Sequence, residues 1–169
     1  FNASTDNAYG TIEKRSGEKG KVMTKPLTNY NVIVLDQQFK NNSNIYFVNA
    51  NTIRRDQFDD SNVSGAGVRL SNKKNTFLAA GEGVLTQNFS VDKEREGNVF
   101  ENTMGYKYSL GLEKQGGIFN YGSYRNVTSP DYRATDLGFF RVAGQNNTEA
   151  FLRFNRVKPW KGIRESYNN

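Results

Sequence analysis

The chain contains no cysteine and no histidine. The first absence excludes disulfides, a thiolate nucleophile and a zinc–thiolate centre. The second removes the commonest metal ligand and the commonest general base. Proline is limited to 3 residues, each outside the strand candidates, as sheets require. Long hydrophobic runs are also missing. None is longer than Val32-Ile33-Val34-Leu35, far below the roughly 18 residues of a membrane-spanning helix. No block of like charge reaches the about five residues of a nucleic-acid-binding tail, so a polynucleotide partner is not expected. The net charge of +6 comes from 23 scattered basic residues that read as solvated turns.

What is present is aromatic and turn-rich. The 169 residues include 12 Phe, 9 Tyr, 1 Trp and 16 Gly, with abundant Asn. That composition favours strands and tight turns over helices.

One stretch carries the fold reading. Large side chains occupy Met104, Tyr106, Tyr108, Leu110 and Leu112; Gly105, Lys107, Ser109, Gly111 and Glu113 alternate with them. A period of two sends the two sets to opposite faces of a strand. The second set suits no packed core, so the strand separates a greasy environment from a wet one. A half-buried soluble strand of about five or six residues could do this. Alternation over about ten residues is what a bilayer-crossing barrel strand needs.

Seven strands are expected, over 29–39, 45–54, 63–70, 76–89, 104–114, 118–126 and 148–156. Short connections at 41–44, 72–75 and 115–117 alternate with long ones at 55–62, 90–98 and 127–144. Short turns at one end and long loops at the other are the up-and-down pattern of outer-membrane barrels. Residues 1–25 read as a polar lead-in, with 1–3 the tail of an earlier strand and 6–25 a loop or hairpin; 26–160 as the barrel segment; 161–169 as a tail. The fold class expected is all-β, antiparallel up-and-down hairpins, as a fragment of a bacterial outer-membrane β-barrel. A soluble secreted β-sandwich or carbohydrate-binding module is the alternative.

The alternation sorts the candidate functional residues. Asn49, Asn51, Arg54, Arg69, Glu82, Lys107 and Glu113 are expected to line a lumen. Tyr46, Val48, Met104, Tyr106, Tyr108, Leu110, Leu112, Phe119 and Tyr121 are expected to face lipid or form an aromatic girdle, with Tyr30 and Trp160 as further girdle candidates. Asp56, Asp59 and Asp60 cluster in a loop without calcium-loop spacing and read as solvated. The acids Asp36, Glu82, Glu101 and Glu113 offer no defined catalytic pair, and Asp92, Glu94 and Glu96 alternate with basic residues in a loop. Gly65-Ala66-Gly67 and Gly81-Glu82-Gly83 lack the strand-to-helix setting of a phosphate loop; bends or close packing are expected there. No enzyme activity, metal or cofactor is expected.

Pro26-Leu27-Thr28-Asn29-Tyr30-Asn31, Val34-Leu35-Asp36-Gln37, Lys40-Asn41-Asn42-Ser43 and Asp136-Leu137-Gly138-Phe139 carry a resemblance. The chain resembles part of the C-terminal barrel of a Bacteroidota outer-membrane family. Members pair a carbohydrate-binding, family-nine-like N-terminal domain with a β-barrel of unassigned function. The resemblance implies contact with outer-membrane lipid, other outer-membrane subunits or barrel segments as partners, and a link to glycans. It supplies no catalytic motif.

Overall fold

The computed structural model describes residues 1–55, 59–92, 99–133, 144–156 and 166–168. All regular structure in it is β. A short β1 (Asn2–Thr5) pairs with β4 (Thr28–Phe39). Between them, β2 (Ala8–Glu13) and β3 (Lys19–Lys25) form a separate hairpin. The chain continues through β5 (Ser43–Arg54), β6 (Asp60–Ser71), β7 (Phe77–Asp92), β8 (Val99–Lys114), β9 (Phe119–Thr128), β10 (Gln145–Arg156) and β11 (Ser166–Asn168). From β4 onward each strand pairs antiparallel with the next, in one sheet of order β1-β4-β5-β6-β7-β8-β9-β10-β11. Among the described residues the sheet is open at β1 and β11.

The β7 and β8 strands run 16 residues each, longer than their alternation implies. Their ends, Ser90–Asp92 against Val99–Glu101, still pair, because ladder hydrogen bonds need backbone and not a regular side-chain alternation.

The tight turns of β4–β5, β6–β7 and β8–β9 lie at one end of the sheet. Asn41, Asn42 and Asn75 adopt φ of 61°, 52° and 51°, and Gly116 and Gly117 φ of 85° and 79°. Asn and Gly are the residues that take this left-handed region at least cost. The β2–β3 excursion and the β5–β6, β7–β8 and β9–β10 connections all leave from the opposite end.

Directly paired residues share a side of an antiparallel sheet, so the registers define two faces. Among the described residues, every exposed large apolar side chain on β4–β10 except Val34 lies on one of them. Leu35 and Leu112 there are 63% and 67% exposed. Only Ala50 and Leu78 are buried hydrophobic residues among those described. Among the described residues no second layer covers the apolar face.

Candidate functional site: the polar face

The opposite face is wet and closely fitted. One row across it reads Tyr46, Gly67, Glu82, Ser109, Asn126 and Asn147. The Tyr46 hydroxyl donates to Glu82 Oε2 at 3.0 Å. Nearer the tight turns, the Tyr124 hydroxyl donates to Glu113 Oε2 at 2.6 Å, and Gln115 Nε2 donates to the same oxygen at 3.0 Å. Ser109 Oγ bridges to Asn126 Oδ1 at 2.5 Å. Asn44, Tyr46, Arg69, Glu82, Tyr124 and Asn126 line a shallow groove of ≈ 370 Å³. Its neutral and ionic groups could hold water or a small polar solute. Among the described residues no group of acids could hold a metal ion.

Glycine makes this face possible. A Cβ at Gly67 would overlap the Tyr46 ring, and one at Gly111 would come within 2.6 Å of Tyr124 Cδ1. At Gly122 it would lie 2.8 Å from Phe151 Cε1. Each ring therefore lies flat over a glycine on the neighbouring strand, an arrangement that covers exposed backbone and fixes register.

Arg54, Arg69, Glu82, Lys107 and Glu113 fall together on this polar face. Met104, Tyr106, Tyr108, Leu110, Leu112, Phe119 and Tyr121 fall together on the apolar one. The phase of β5 is corrected. Tyr46 and Val48, expected with the lipid-facing set, pair with Gly67 and Gly65 on the polar face. Asn49 and Asn51, expected with the lumen-facing set, lie on the apolar face, Asn49 in the row of Ser64, Leu85 and Tyr106. The physical reason is that β5 carries large side chains on both faces. Phe47, seated between Leu35 and Ala66, decides the phase, and that contact is invisible within β5 alone.

Over residues 1–169 the chain matches the family described as Domain of unknown function (DUF5916). The chain belongs to this family. No curated protein and no solved structure matches it. The family description carries no activity, so the reading of function rests on the two faces.

The displaced asparagines reveal a feature that the alternation did not announce. On the apolar face, towards the long connections, carboxamides and hydroxyls form a belt from β1 to β7. Asn29 Nδ2 donates to Ser4 Oγ at 2.8 Å and Asn31 Nδ2 to Asn51 Oδ1 at 3.0 Å. Asn49 Nδ2 donates to Asn62 Oδ1 at 2.9 Å and Ser64 Oγ at 2.8 Å, and Asn62 Nδ2 to Gln87 Oε1 at 3.2 Å. The available signal was Asn at 29, 31, 49 and 51, each in step with apolar residues further along its strand. Asn49→Ala is expected to lower stability by about 1 kcal/mol, measured by denaturant unfolding; an unchanged midpoint would show that the belt contributes nothing.

Aromatic side chains gather towards the tight turns: Phe119 and Phe154 rings approach to 5.3 Å, and Lys114 Nζ sits 5.9 Å from the Tyr121 ring centre. The apolar band narrows on β9 and β10. There Ser123, Arg125 and Asn146 occupy the rows held on β8 by Leu112, Leu110 and Tyr108, and Arg125 Nη1 donates to Thr148 Oγ1 at 2.8 Å.

The acidic loop has a structural role: Asp60 Oδ1 accepts from Arg54 N at 2.6 Å, and the Asp59 carbonyl accepts from Arg54 Nη1. Asp56, Glu94, Glu96, Asp136–Phe139 and Trp160 lie outside the described residues.

Proposed function

We propose that this chain is a segment of a non-enzymatic outer-membrane β-barrel, with the apolar face towards lipid and the polar face lining an aqueous lumen. One observation carries the reading: an apolar face, uncovered among the described residues and narrowing on β9 and β10, backs a polar face along strands of 10 to 16 residues from β4 to β10. On β8 the apolar run from Met104 to Leu112 extends about 27 Å along the strand at about 3.4 Å per residue. A tilt of about 40° reduces this to about 20 Å of height, near the roughly 25 Å apolar band of such barrels.

The other features fit that arrangement. The tight turns would sit on the periplasmic side and the long connections outside. The carboxamide belt would then mark the outer headgroup level and the Phe119–Phe154 cluster the inner one. Backbone groups along the open edges must be paired in lipid, so further strands of the same protein or another subunit complete the barrel. On β9–β10 the polar surface around Arg125 suits such a polar neighbour better than hydrocarbon. The resemblance to barrels joined to carbohydrate-binding domains makes glycan handling at the bacterial surface the proposed context, as a pore or as a subunit of a surface assembly.

The test is the behaviour of the intact natural protein. It is expected to co-sediment with outer-membrane vesicles, to require detergent, and to migrate faster on a gel before boiling than after. A detergent-free, soluble monomer would overturn the reading and leave a β-sandwich, with the apolar face packed on a second sheet, as the explanation.

A further inference from the structure

After Thr128 the chain turns across the polar face. Ser129 N donates to the Tyr106 carbonyl at 2.8 Å, and Ser129 Oγ accepts from Tyr106 N at 2.9 Å. One serine thus satisfies both backbone groups of a β8 residue that β9 no longer reaches. Tyr132 N returns to the Ser129 carbonyl at 3.2 Å, closing a turn around Pro130 and Asp131. Arg133 N then donates to Thr86 Oγ1 on β7 at 3.3 Å, and that hydroxyl donates to the Gly105 carbonyl at 3.2 Å. Thr86 is fully buried.

Gly105 completes the seat. A Cβ there would coincide with the Asp131 carbonyl and the Tyr132 Cα, so the absence of a side chain is what admits the segment. Burial pushes the Tyr132 phenol above its ordinary value, and the negative charge of the Glu82 carboxylate adds to the shift. A buried hydroxyl, a serine pairing with a strand and a glycine cleared of its Cβ all serve five residues. A connection that merely passed by would need none of them.

We propose that Ser129–Arg133 is a seated constriction, narrowing the aqueous lumen at the level of Gly105 and Thr86 and setting the size limit for hydrophilic solutes that reach Glu82. The proposal rests on the barrel reading. Among the described residues the charged side chains around the seat are Glu82, Lys107, Asp131 and Arg133, two of each sign. A ring of one sign would select ions by charge; this mixed set selects uncharged solutes by size.

The experiment uses the intact protein reconstituted in liposomes. A Thr86→Cys/Arg133→Cys pair, in a chain that has no cysteine of its own, is expected to form a disulfide under mild oxidation. Gly105→Leu is expected to unseat the segment. Swelling driven by tri- and tetrasaccharide probes should then rise severalfold, while swelling with a monosaccharide changes little. If Gly105→Leu does not assemble, Thr86→Val removes the Arg133 bond without adding volume and should shift the same ratio. Failure to cross-link in a protein that is still heat-modifiable overturns the seat and leaves the barrel standing. Equal swelling of variant and natural protein, including none in both, overturns the constriction. Loss of heat-modifiable migration in the natural protein removes the barrel reading, and the constriction falls with it.

Discussion

Ala66→Arg is expected to cost about 2–4 kcal/mol when the protein is unfolded from lipid bilayers, the penalty for a cation near the bilayer midplane on a barrel's outer face. Ala66 is exposed and sits in a row that is apolar or aromatic from β4 to β9: Leu35, Phe47, Ala66, Gly83, Tyr108 and Val127. The nearest cation on β8, Lys107, is one residue from Tyr108 but on the other face. The strands therefore accept cations readily, and only the face forbids one here. At a water-exposed position the same change should stay within about 0.5 kcal/mol. A companion variant separates lipid from a protein partner. Ala66→Leu adds volume that fluid hydrocarbon accommodates without strain, whereas a packed interface loses about 1–3 kcal/mol to overpacking. Denaturant titration of both variants from vesicles reads the difference. Arg tolerated, or Leu as damaging as Arg, would each remove lipid from this face.

Much of the architecture was legible because β8 has small or charged residues on one side and large ones on the other, with no exception from Met104 to Glu113. That strand fixes its own phase. The hairpin ends were legible too, since Asn41, Asn42, Asn75, Gly116 and Gly117 stand where left-handed backbone is needed. The β5 strand was not, because Tyr46 and Val48 on one face balance Ile45 and Phe47 on the other. Within such a strand, periodicity gives the alternation but not its sign; the cross-strand partners supply the sign. The ends β1 and β11, of 4 and 3 residues, are too short to show a period. The seat of Ser129 and Arg133 was hidden for a different reason. It joins residues 47 positions apart through one hydroxyl and one missing Cβ, and neither leaves a pattern along the chain.

The polar face has its own large expected effect. Gly111→Leu should cost about 2–4 kcal/mol, combining overpacking of about 1–3 kcal/mol with loss of a hydrogen bond to a charged group, worth about 1.5–3 kcal/mol and only partly forfeited. The Tyr124 ring lies where the new side chain must go, and its hydroxyl holds Glu113 at 2.6 Å. Gly83→Ala is the matched control. It lies two strands' breadth from Tyr124 on the apolar face, with nothing within 4 Å of the new methyl. That substitution should be neutral or stabilise by about 0.5 kcal/mol, because alanine loses less backbone freedom on folding. Combining Gly111→Leu with Tyr124→Ala should return part of the loss, since the ring that clashes is gone; the two changes are then non-additive, as contacting residues are. Additive losses would show that the ring does not lie over Gly111. The contrast bears on function, because a wall of flat rings bonded to carboxylates keeps its shape against water, and a lumen lined by such a wall has a defined bore in which a seated segment can set a size limit.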